Sequence, residues 1–475
     1  MKKLINFFKQ EKIVLAAIII LGFAVRLYKI NSPIADWHSF RQADTAAVAR
    51  MYLQNGINLF VPRYYDVSRV QSGFFNPMGY RFVEFPIYAL LHVFAYRILP
   101  FITFETVGRL LSVIFSLITA FFIYKIARVI FSKNIAVLSA FFYLMLPYNI
   151  YFTRVILPEP LSVMLGVIAL WFFVGFVKDG SKRKLILYSI FMSLAILVKP
   201  YLILYNLYPV FYFWKKHGIK RILINKEVVL MSLIIFVPFL LWRWWIQEHP
   251  EGIPFWKWTL NGDGVRFKPA FWYWIFGERI GKLILGVWGI FPLCMGLIHG
   301  RKNSFLISLV LGNILYLSVI ATANVRHDYY QTLIIPAISL LLAIGFDQVY
   351  TDYKNIKFGF VIPLSILFLM LVISAFQVKE YYKIDHPEIM DAGRAVDRLA
   401  PEDALVIASY NGDTAFLYQT NRKGWPVVEL PINELIDEGA SYYASVNLND
   451  SQTIEFMNKF QILEKTNTYV VLKLK

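Results

Sequence analysis

The sequence predicts a polytopic α-helical membrane protein of about 11–13 transmembrane helices, with surface amphipathic helices in its first outer loop and a small C-terminal extracytoplasmic α/β domain. Of its 475 residues, 58% are hydrophobic and only 17% are charged, and the mean hydropathy is +0.53. An ordinary soluble domain carries about a quarter charged residues. Basic residues cluster between apolar runs, and acidic residues concentrate after residue 379. These three observations together exclude an ordinary soluble protein.

Eleven apolar runs are candidates for spans, because about twenty apolar residues cross roughly 30 Å of hydrocarbon. They lie at 13–30, 107–131, 134–152, 160–177, 185–199, 201–214, 228–246, 281–298, 304–321, 331–349 and 358–378. A further short run, 86–99, does not fit the alternation of sides as a full span. We expect it to be a re-entrant or interfacial helix, or half of a pair that raises the total to thirteen.

The positions of the basic clusters predict the orientation. With the N-terminus cytoplasmic, KIARVIFSK, KDGSKRK, KKHGIKR, HGRK and TDYKNIK all fall on the cytoplasmic face. The basic start MKKLINFFKQEK precedes an apolar run without a small-residue cleavage site, which predicts an uncleaved first span. This distribution accounts for the formal charge of +17 without a nucleic-acid partner and predicts a multi-pass protein of the plasma (inner) membrane.

The composition divides the chain into a transmembrane domain, 1–379, and a soluble domain, 380–475. Of 31 acidic residues 15 follow residue 379, against 9 of the 48 basic ones. DALVIASY, ASYYASVNL and TYVVLKL read as strands, and 388–399 and 451–460 as helices, so the second domain is predicted to be α/β. By the alternation of sides it lies outside the membrane.

The first outer loop, 31–106, carries the densest group of ionisable residues. It opens with DWHSFRQADT and continues as ADTAAVARMYLQNG, whose spacing predicts an amphipathic surface helix with Asp44 in its first turn. Ionisable residues recur at the outer ends of later spans, where they are costly unless they serve a site. The candidates are Asp36, Arg41, Asp44, Arg81, Glu84, Arg154, Glu159, Lys199, Arg326, His327 and Tyr329. We expect them to build a polar cavity at the outer surface.

Simpler interpretations exist for individual residues. Asp36 and Asp44 could be a loop residue and a helix-terminal charge, and Glu84 could cap a helix that starts at Pro86. His327 could be an exposed loop residue, and His92, on an apolar helix face, reads as a packed residue rather than a ligand.

Arginine and lysine suit a phosphate, and a carboxylate suits removal of a proton from a hydroxyl. The sequence shows neither a glycine-rich phosphate loop nor the nucleophile and base of a serine hydrolase. A single cysteine, Cys294, excludes a disulfide within the chain. No cofactor is required by any motif, although a carboxylate-bound magnesium or manganese ion is compatible with the sequence.

In their order, these motifs resemble the polyprenyl-phosphate-dependent integral-membrane glycosyltransferases of the C-type fold. The resemblance is to the branch of protein O-mannosyltransferases and aminoarabinose transferases, glycosyltransferase families 39 and 83. It is carried by the acidic motif after the first span, RMYLQNG followed by VPR, the EFP stretch, TRVILPEPL and RHDYYQTLIIP, over roughly residues 10–350.

The resemblance implies inverting transfer of a sugar from a polyprenyl-phosphate donor on the outer leaflet to a lipid, glycan or protein. An acidic residue of the first outer loop would be the general base. That role falls to Asp36 or Asp44. The spacing does not choose between them, because the family's Asp-Glu pair would lie between the two, around Arg41 and Gln42.

This sequence also departs from the family's pattern at the position that contacts the donor phosphate. Phe85 stands where a lysine meets the donor phosphate in the aminoarabinose branch, so Arg41, Arg81, Arg154 or Arg326 would make that contact. Glu159 matches a second acidic position that orients the acceptor or holds a divalent cation.

Other classes remain open. A polysaccharide polymerase or ligase shares the lipid donors and the membrane side. A transporter or lipid flippase predicts charges midway through spans and broken helices in matching halves, and a scaffold predicts that Asp36 and Asp44 are dispensable.

Overall fold

The computed structural model describes residues 11–475, so the predicted basic start of the chain lies mostly outside the described residues. The protein consists of two compact units. The first contains residues up to Ile30, Arg109–Leu241 and Trp256–Tyr381. The second contains Asn31–Gly108, Trp242–Phe255 and Tyr382–Lys475. The first outer loop and the C-terminal residues therefore belong to the same unit.

The first unit is helical. Its α-helices are Glu11–Arg26, Lys133–Met145, Pro147–Phe152, Glu159–Asp179, Lys182–Val198, Leu207–His217, Ile219–Ile222, Lys226–Trp245, Trp258–Asn261, Pro269–Trp272, Ile290–Gly300, Ser304–Val319, Ala321–Arg326, Ile335–Tyr353 and Val361–Val378, and Phe104–Ile130 enters it from the second unit. Shorter 3-10 segments are Pro200–Asn206, Gly262–Phe267, Asp328–Ile334 and Lys379–Tyr382, and Tyr273–Ile284 is a π-helix.

Five helical segments of the described chain are long and apolar enough to cross a membrane. They are Phe104–Ile130, Glu159–Asp179, Lys226–Glu248, Asp328–Tyr353 and Val361–Tyr382. Large apolar side chains such as Leu364, Phe368 and Phe376 are exposed along the last of them, as expected of a face that contacts lipid. The predicted polytopic helical membrane fold is confirmed.

One predicted span is divided at a proline. Run 134–152 is interrupted at Leu146, before Pro147, because proline removes a backbone donor and disfavours helical geometry in the residue before it. Run 201–214 also folds as two pieces, the 3-10 segment Pro200–Asn206 and the helix Leu207–His217. The count of 11–13 spans stays a prediction.

In the second unit, residues of the first outer loop form the helices Ser39–Asn55 and Ile87–Ile98. The former is not the amphipathic surface helix that was predicted, because every residue from Arg41 to Ala49 is buried. Asp44 also lies beyond its first turn, since the helix begins at Ser39. Small side chains such as Ala43, Ala46 and Ala47 allow neighbouring segments to pack closely on all sides.

The C-terminal residues form a five-stranded sheet. Its strands are β1 Leu405–Ser409, β2 Gly424–Trp425, β3 Ala440–Ser445, β4 Gln461–Lys465 and β5 Val470–Lys473, in the order β2-β1-β3-β5-β4. β1 pairs in parallel with β2 and β3, whereas β5 is antiparallel to β3 and β4. The accompanying helices are Glu388–Leu399, Thr414–Gln419, Ile432–Asp437 and Ser451–Lys459, and Ile246–Glu248 and Pro250–Gly252 are short 3-10 turns of the same unit. The predicted α/β arrangement is confirmed.

The core of this sheet includes side chains from the first outer loop. Val67 is buried in the same apolar cluster as Ile407, Trp425 and Tyr443, and the ring of Phe75 stacks on Trp425. The division at 379 and 380 stays a prediction of the composition, while the compact unit combines residues from both sides of it.

Candidate active site

Two arginines and two carboxylates of the first outer loop form two ion pairs, and each pair joins an arginine of one segment to a carboxylate of the other. Arg41 and Asp44 are three positions apart on helix Ser39–Asn55, so they point to one side of it. Arg81 and Glu84 are likewise three apart in the segment before helix Ile87–Ile98. Arg81 pairs with Asp44, and Glu84 pairs with Arg41. Two ion pairs therefore fasten the segment to the helix.

Backbone contacts fix the position of this segment. The N–H of Arg81 donates to the carbonyl of Pro62 (2.9 Å), and Tyr80 forms an antiparallel bridge with Arg63. The N–H of Phe82 donates to the carbonyl of Gly252 (2.8 Å). A Cβ at Gly252 would lie 2.4 Å from the Phe82 ring, so only glycine permits this approach.

Asp44 is buried, and each of its carboxylate oxygens accepts a hydrogen bond. Oδ2 accepts from Arg81 Nη2 (2.5 Å), and Oδ1 accepts from the Thr414 hydroxyl (2.7 Å). A charged donor and a neutral donor thus hold both ends of the carboxylate. The interpretation of Asp44 as a helix-terminal charge is wrong, because the residue lies inside the helix and inside the protein.

Arg81 has hydrogen-bonding capacity to spare. Its guanidinium is buried, 4.9 Å above the Tyr64 ring, and only Nη2 bonds to Asp44. Within residues 11–475, Nε and Nη1 have no hydrogen-bond partner. Buried donors are normally satisfied, so two orphaned N–H groups on one cation indicate a place for an anionic ligand.

Arg41 and Glu84 form the second pair. Nη2 of Arg41 lies 2.7 Å and 2.8 Å from the two carboxylate oxygens of Glu84. The N-cap position of the following helix is Pro86, which provides no side-chain cap. Together with Asp44 and Arg81, this pair lines a small cavity whose wall is completed by mostly uncharged residues between 45 and 89, namely Thr45, Val48, Pro62, Pro86, Tyr88 and Ala89.

Asp36 occupies a different position. Its Oδ1 accepts a hydrogen bond from Gln42 Nε2 (2.7 Å), and the residue is buried. It precedes His38, whose backbone φ of 55° lies in the left-handed region at the start of the helix. Asp36 does not line the cavity that contains Asp44.

The charge of Asp44 acts on two further carboxylates, those of Asp66 and Asp413. Burial raises the pKa of Asp66 to about 6, and the charge of Asp44 adds to that rise. Burial likewise raises the pKa of Asp413 to about 6, again with a contribution from Asp44. Negative charge is therefore concentrated around Asp44, with Arg81 as its direct counter-charge.

Of the remaining predicted residues, four lie buried in the first unit, namely Arg154, Glu159, Lys199 and Tyr329. Lys199 and Glu159 form an ion pair, with Nζ 2.7 Å from Oε1. Lys199 Nζ also lies 5.5 Å from the centre of the Tyr330 ring. Arg154 donates from Nη1 to the carbonyl of Lys29 (2.8 Å).

The RHDYY motif of the first unit separates into exposed and buried residues. Arg326 is exposed and lies 3.9 Å from the equally exposed Asp263. The ring of His327 stacks near Tyr329 with centroids 5.5 Å apart, and Tyr329 is buried. Asp328 of the same motif is buried, and it accepts from Arg279 (3.3 Å) and from the Tyr381 hydroxyl.

The described residues do not fit a divalent cation at the cavity. Among residues 11–475 no three His, Cys, Asp or Glu side chains lie together as a metal site. Asp44 and Glu84 each face an arginine, whereas Mg²⁺ requires carboxylates that are free to neutralise it. We therefore derive no step through a metal ion.

Comparison with known proteins identifies the fold. Residues 86–242 match the family model described as dolichyl-phosphate-mannose-protein mannosyltransferase. The structure is also similar to ArnT from Cupriavidus metallidurans bound to undecaprenyl phosphate, at 14% identity and a TM-score of 0.66, over 97% of both chains. The chain has the C-type glycosyltransferase fold. The resemblance inferred from the sequence motifs is thereby confirmed.

Two other structures share this C-type fold. One is the oligosaccharyltransferase AglB from Archaeoglobus fulgidus in complex with an inhibitory peptide and a dolichol-phosphate, at 11% identity and a TM-score of 0.62, covering 98% of this chain and 74% of that one. The other is the arabinofuranosyltransferase AftD from Mycobacteria, at 13% identity and a TM-score of 0.56, covering 97% and 41%. No curated protein sequence matches the chain.

Sequence reasoning missed three residues near Asp44, namely Thr414, Asp413 and Asp66. Thr414 and Asp413 are far from Asp44 along the chain, whereas Asp66 lies in the same loop, between Arg63 and Arg69, and was not singled out. The turn NGDT after a predicted strand is the one signal for Thr414, since loops that follow parallel strands often carry functional residues.

Proposed function

We propose that this protein is an inverting glycosyltransferase that moves a sugar from a polyprenyl-phosphate donor to a hydroxyl of a lipid, glycan or protein acceptor. One observation carries the proposal. The buried carboxylate of Asp44 shares a cavity with Arg81, whose Nε and Nη1 donors have no partner among the described residues. A base beside an unsatisfied cation suits proton removal coupled to departure of a phosphate.

Arg81 and Arg41 are the proposed contacts of the donor phosphate. Both guanidinium groups are buried, and in a water-poor cavity their attraction for an anion is stronger than in bulk water. Arg81 already holds Asp44 with one nitrogen, so it can bridge the base and the phosphate. ArnT and AglB, which share the fold, were determined with undecaprenyl phosphate and dolichol-phosphate, which supports a donor of this class.

Asp44 is the proposed general base. It accepts the proton of the acceptor hydroxyl while the acceptor oxygen forms a bond to the anomeric carbon. The bond from that carbon to the phosphate oxygen breaks on the opposite side, and polyprenyl phosphate departs with the bonding electrons. Each carboxylate oxygen has two lone pairs, so Asp44 can receive this proton while Arg81 and Thr414 remain bound.

The membrane side is part of the proposal. With the N-terminus in the cytoplasm, the positive-inside pattern places the second unit outside the plasma membrane, where it meets outer-leaflet donors. The proposal covers hexosyl and pentosyl transfer, and the donor panel described next identifies the sugar.

The experiment uses purified protein in detergent, a panel of polyprenyl-phosphate sugars, and the variants Asp44→Asn and Asp36→Asn. We expect one donor to stabilise all three proteins against heat. Asp44→Asn should lose about 10²-fold or more in turnover, as expected for a general base, while Asp36→Asn retains turnover.

Either of two results would contradict this assignment. If no donor stabilises folded wild-type protein, the glycosyltransferase proposal fails. If Asp44→Asn turns over normally, the proposed base is wrong, and loss of turnover in Asp36→Asn alone would transfer the role to Asp36.

A further inference from the structure

The C-terminal sheet contributes a side chain to the carboxylate of Asp44. Thr414 follows β1 at its carboxyl end and begins the short helix Thr414–Gln419. Its hydroxyl oxygen lies 2.7 Å from Asp44 Oδ1 and 3.3 Å from the carbonyl oxygen of Phe40. A hydroxyl has one proton to donate, and the nearer, negatively charged oxygen is the stronger acceptor.

Thr414 contacts Asp44 without lining the cavity next to that residue. The residues that line the cavity beside Asp44 come from positions 41 to 89, so Thr414 does not contribute to its wall. Thr414 therefore contacts the carboxylate without lining the cavity, and each carboxylate oxygen has a second lone pair that can accept from a substrate hydroxyl.

Neighbouring contacts hold Thr414 in place. One turn further along the same short helix, the Tyr418 ring lies 3.9 Å beneath the Arg50 guanidinium, and its hydroxyl donates to Glu105 (2.8 Å). Gln419 Nε2 donates to the carbonyl of Ile34 (3.0 Å). Arg50 lies on the same helix as Asp44, so the helix that carries Asp44 is contacted at two places.

We propose that Thr414 is a positioning residue for the reaction, which orients the Asp44 carboxylate toward the acceptor hydroxyl through a hydrogen bond to Oδ1. This inference rests on the proposed function, in which Asp44 is the base. It gives the C-terminal sheet a part in turnover, because Thr414 and Arg81 together fix both oxygens of one carboxylate. Proton transfer is sensitive to such orientation.

The test compares Thr414→Val, which removes the hydroxyl at nearly constant shape, with Thr414→Ser, which keeps it. The matched control is Thr453→Val, which removes a buried hydroxyl that bonds only within the C-terminal residues, to Tyr443, Ser445 and Asp450. All are assayed for kcat, for donor KM and for the melting temperature, with the donor identified for wild type.

We expect Thr414→Val to lower kcat about tenfold, the equivalent of roughly 1.4 kcal/mol, with little change in donor KM. Thr414→Ser should restore kcat, and Thr453→Val should lower the melting temperature without lowering kcat. If Thr414→Val does not fold, Thr414→Ala against Thr414→Ser provides the same comparison.

Normal kcat in a folded variant without the hydroxyl would overturn the inference. Equal losses in Thr414→Ser and Thr414→Val would also overturn it, because the variant that keeps the hydroxyl would then be no more active than the variant that lacks it. Wild-type turnover and its loss in Asp44→Asn report on the proposed function separately, so a failure of this inference can be distinguished from a failure of the proposed function.

Discussion

Arg81 Nη2 lies 2.5 Å from Asp44 Oδ2, and both side chains are buried in the second unit. A buried ion pair is costly to desolvate, and replacement by apolar residues is often neutral or stabilising. The Asp44–Arg81 pair lies next to a second ion pair, Arg41 with Glu84. Two such pairs fit a binding or catalytic site better than a contact that only stabilises the fold. The orphaned nitrogens of Arg81 support the same conclusion.

Arg81→Lys should weaken donor binding by about tenfold or more, because lysine supplies a single point of charge in place of the planar fork that can bind Asp44 and a phosphate together. Arg81→Met should abolish turnover and lower stability by about 3–5 kcal/mol, since it leaves a buried carboxylate without its counter-charge. Donor KM and melting temperature measure the two effects.

A matched control for that experiment is Arg69→Met. Arg69 pairs with Glu429 and Glu438 of the same unit but does not line the cavity. It should leave donor KM unchanged. An equal rise of KM in Arg69→Met and Arg81→Lys would show that the effect on binding is not local to the cavity.

Glu84→Gln should tighten donor binding a few-fold. Glu84 offsets the charge of Arg41 at 2.7 Å, and its neutralisation leaves the cavity more positive toward a phosphate. Arg41→Gln should have the opposite effect. The measurement is thermal stabilisation by polyprenyl phosphate without a sugar, titrated at low and high salt. Weaker binding in both variants would indicate that the pair acts by fixing backbone geometry rather than by its charge.

The sequence predicted the elements with strong local signals. The helices 388–399 and 451–460 appear as Glu388–Leu399 and Ser451–Lys459, and three of the five strands were identified. β2 was missed because two residues carry no periodicity. β4 was missed because it is mostly exposed at the edge of the sheet, so burial imposes no alternation on it.

The predicted cluster of charges around Asp44 could be recognised because its members lie in one loop with regular spacing. Which charges pair, however, depends on the crossed arrangement of two segments, and spacing alone does not specify it. The burial of helix Ser39–Asn55 was also missed. Its polar residues suggested an exposed face, whereas in the structure Arg41 and Asp44 find partners inside the protein.

Asp66 should make stability depend on pH. Its folded-state pKa is raised from the ordinary 3.8 to about 6 by burial, so the folded protein binds the proton more tightly than the unfolded chain does. Stability should then fall by about 3 kcal/mol as the pH rises from about 4 to about 6, and this cost remains above that range.

Asp66→Asn should remove this contribution, because the amide does not titrate. Its oxygen can still accept from the Ser68 N–H, and its NH2 group can donate to the oxygen of the Tyr64 hydroxyl. The variant should melt higher than wild type at pH 7.5 and show a shallower slope between pH 4.5 and 6. As a control, Asp450→Asn keeps a helix cap and should retain the wild-type slope. An Asp66→Asn protein with the wild-type slope would exclude Asp66 as the titrating group.

Lys199 and Glu159 allow a test of whether a buried pair in the first unit is structural or contacts substrate. Their side chains are 7% and 0% exposed, and the charged atoms lie 2.7 Å apart. Lys199→Met alone should cost about 3–5 kcal/mol, because it leaves a buried carboxylate unpaired, whereas Lys199→Met combined with Glu159→Gln should recover much of that loss.

Turnover in that double variant separates the two roles. If the pair only holds helix Glu159–Asp179 against the start of the 3-10 segment at Pro200, the double variant regains activity along with stability. If Lys199 binds an anion, or if Glu159 orients an acceptor as the family resemblance implies for that residue, the double variant is stable and inactive. We expect the second outcome, because apolar packing could stabilise this position without two buried charges. The melting temperature and kcat of the single and double variants, measured on the same preparations, decide between them.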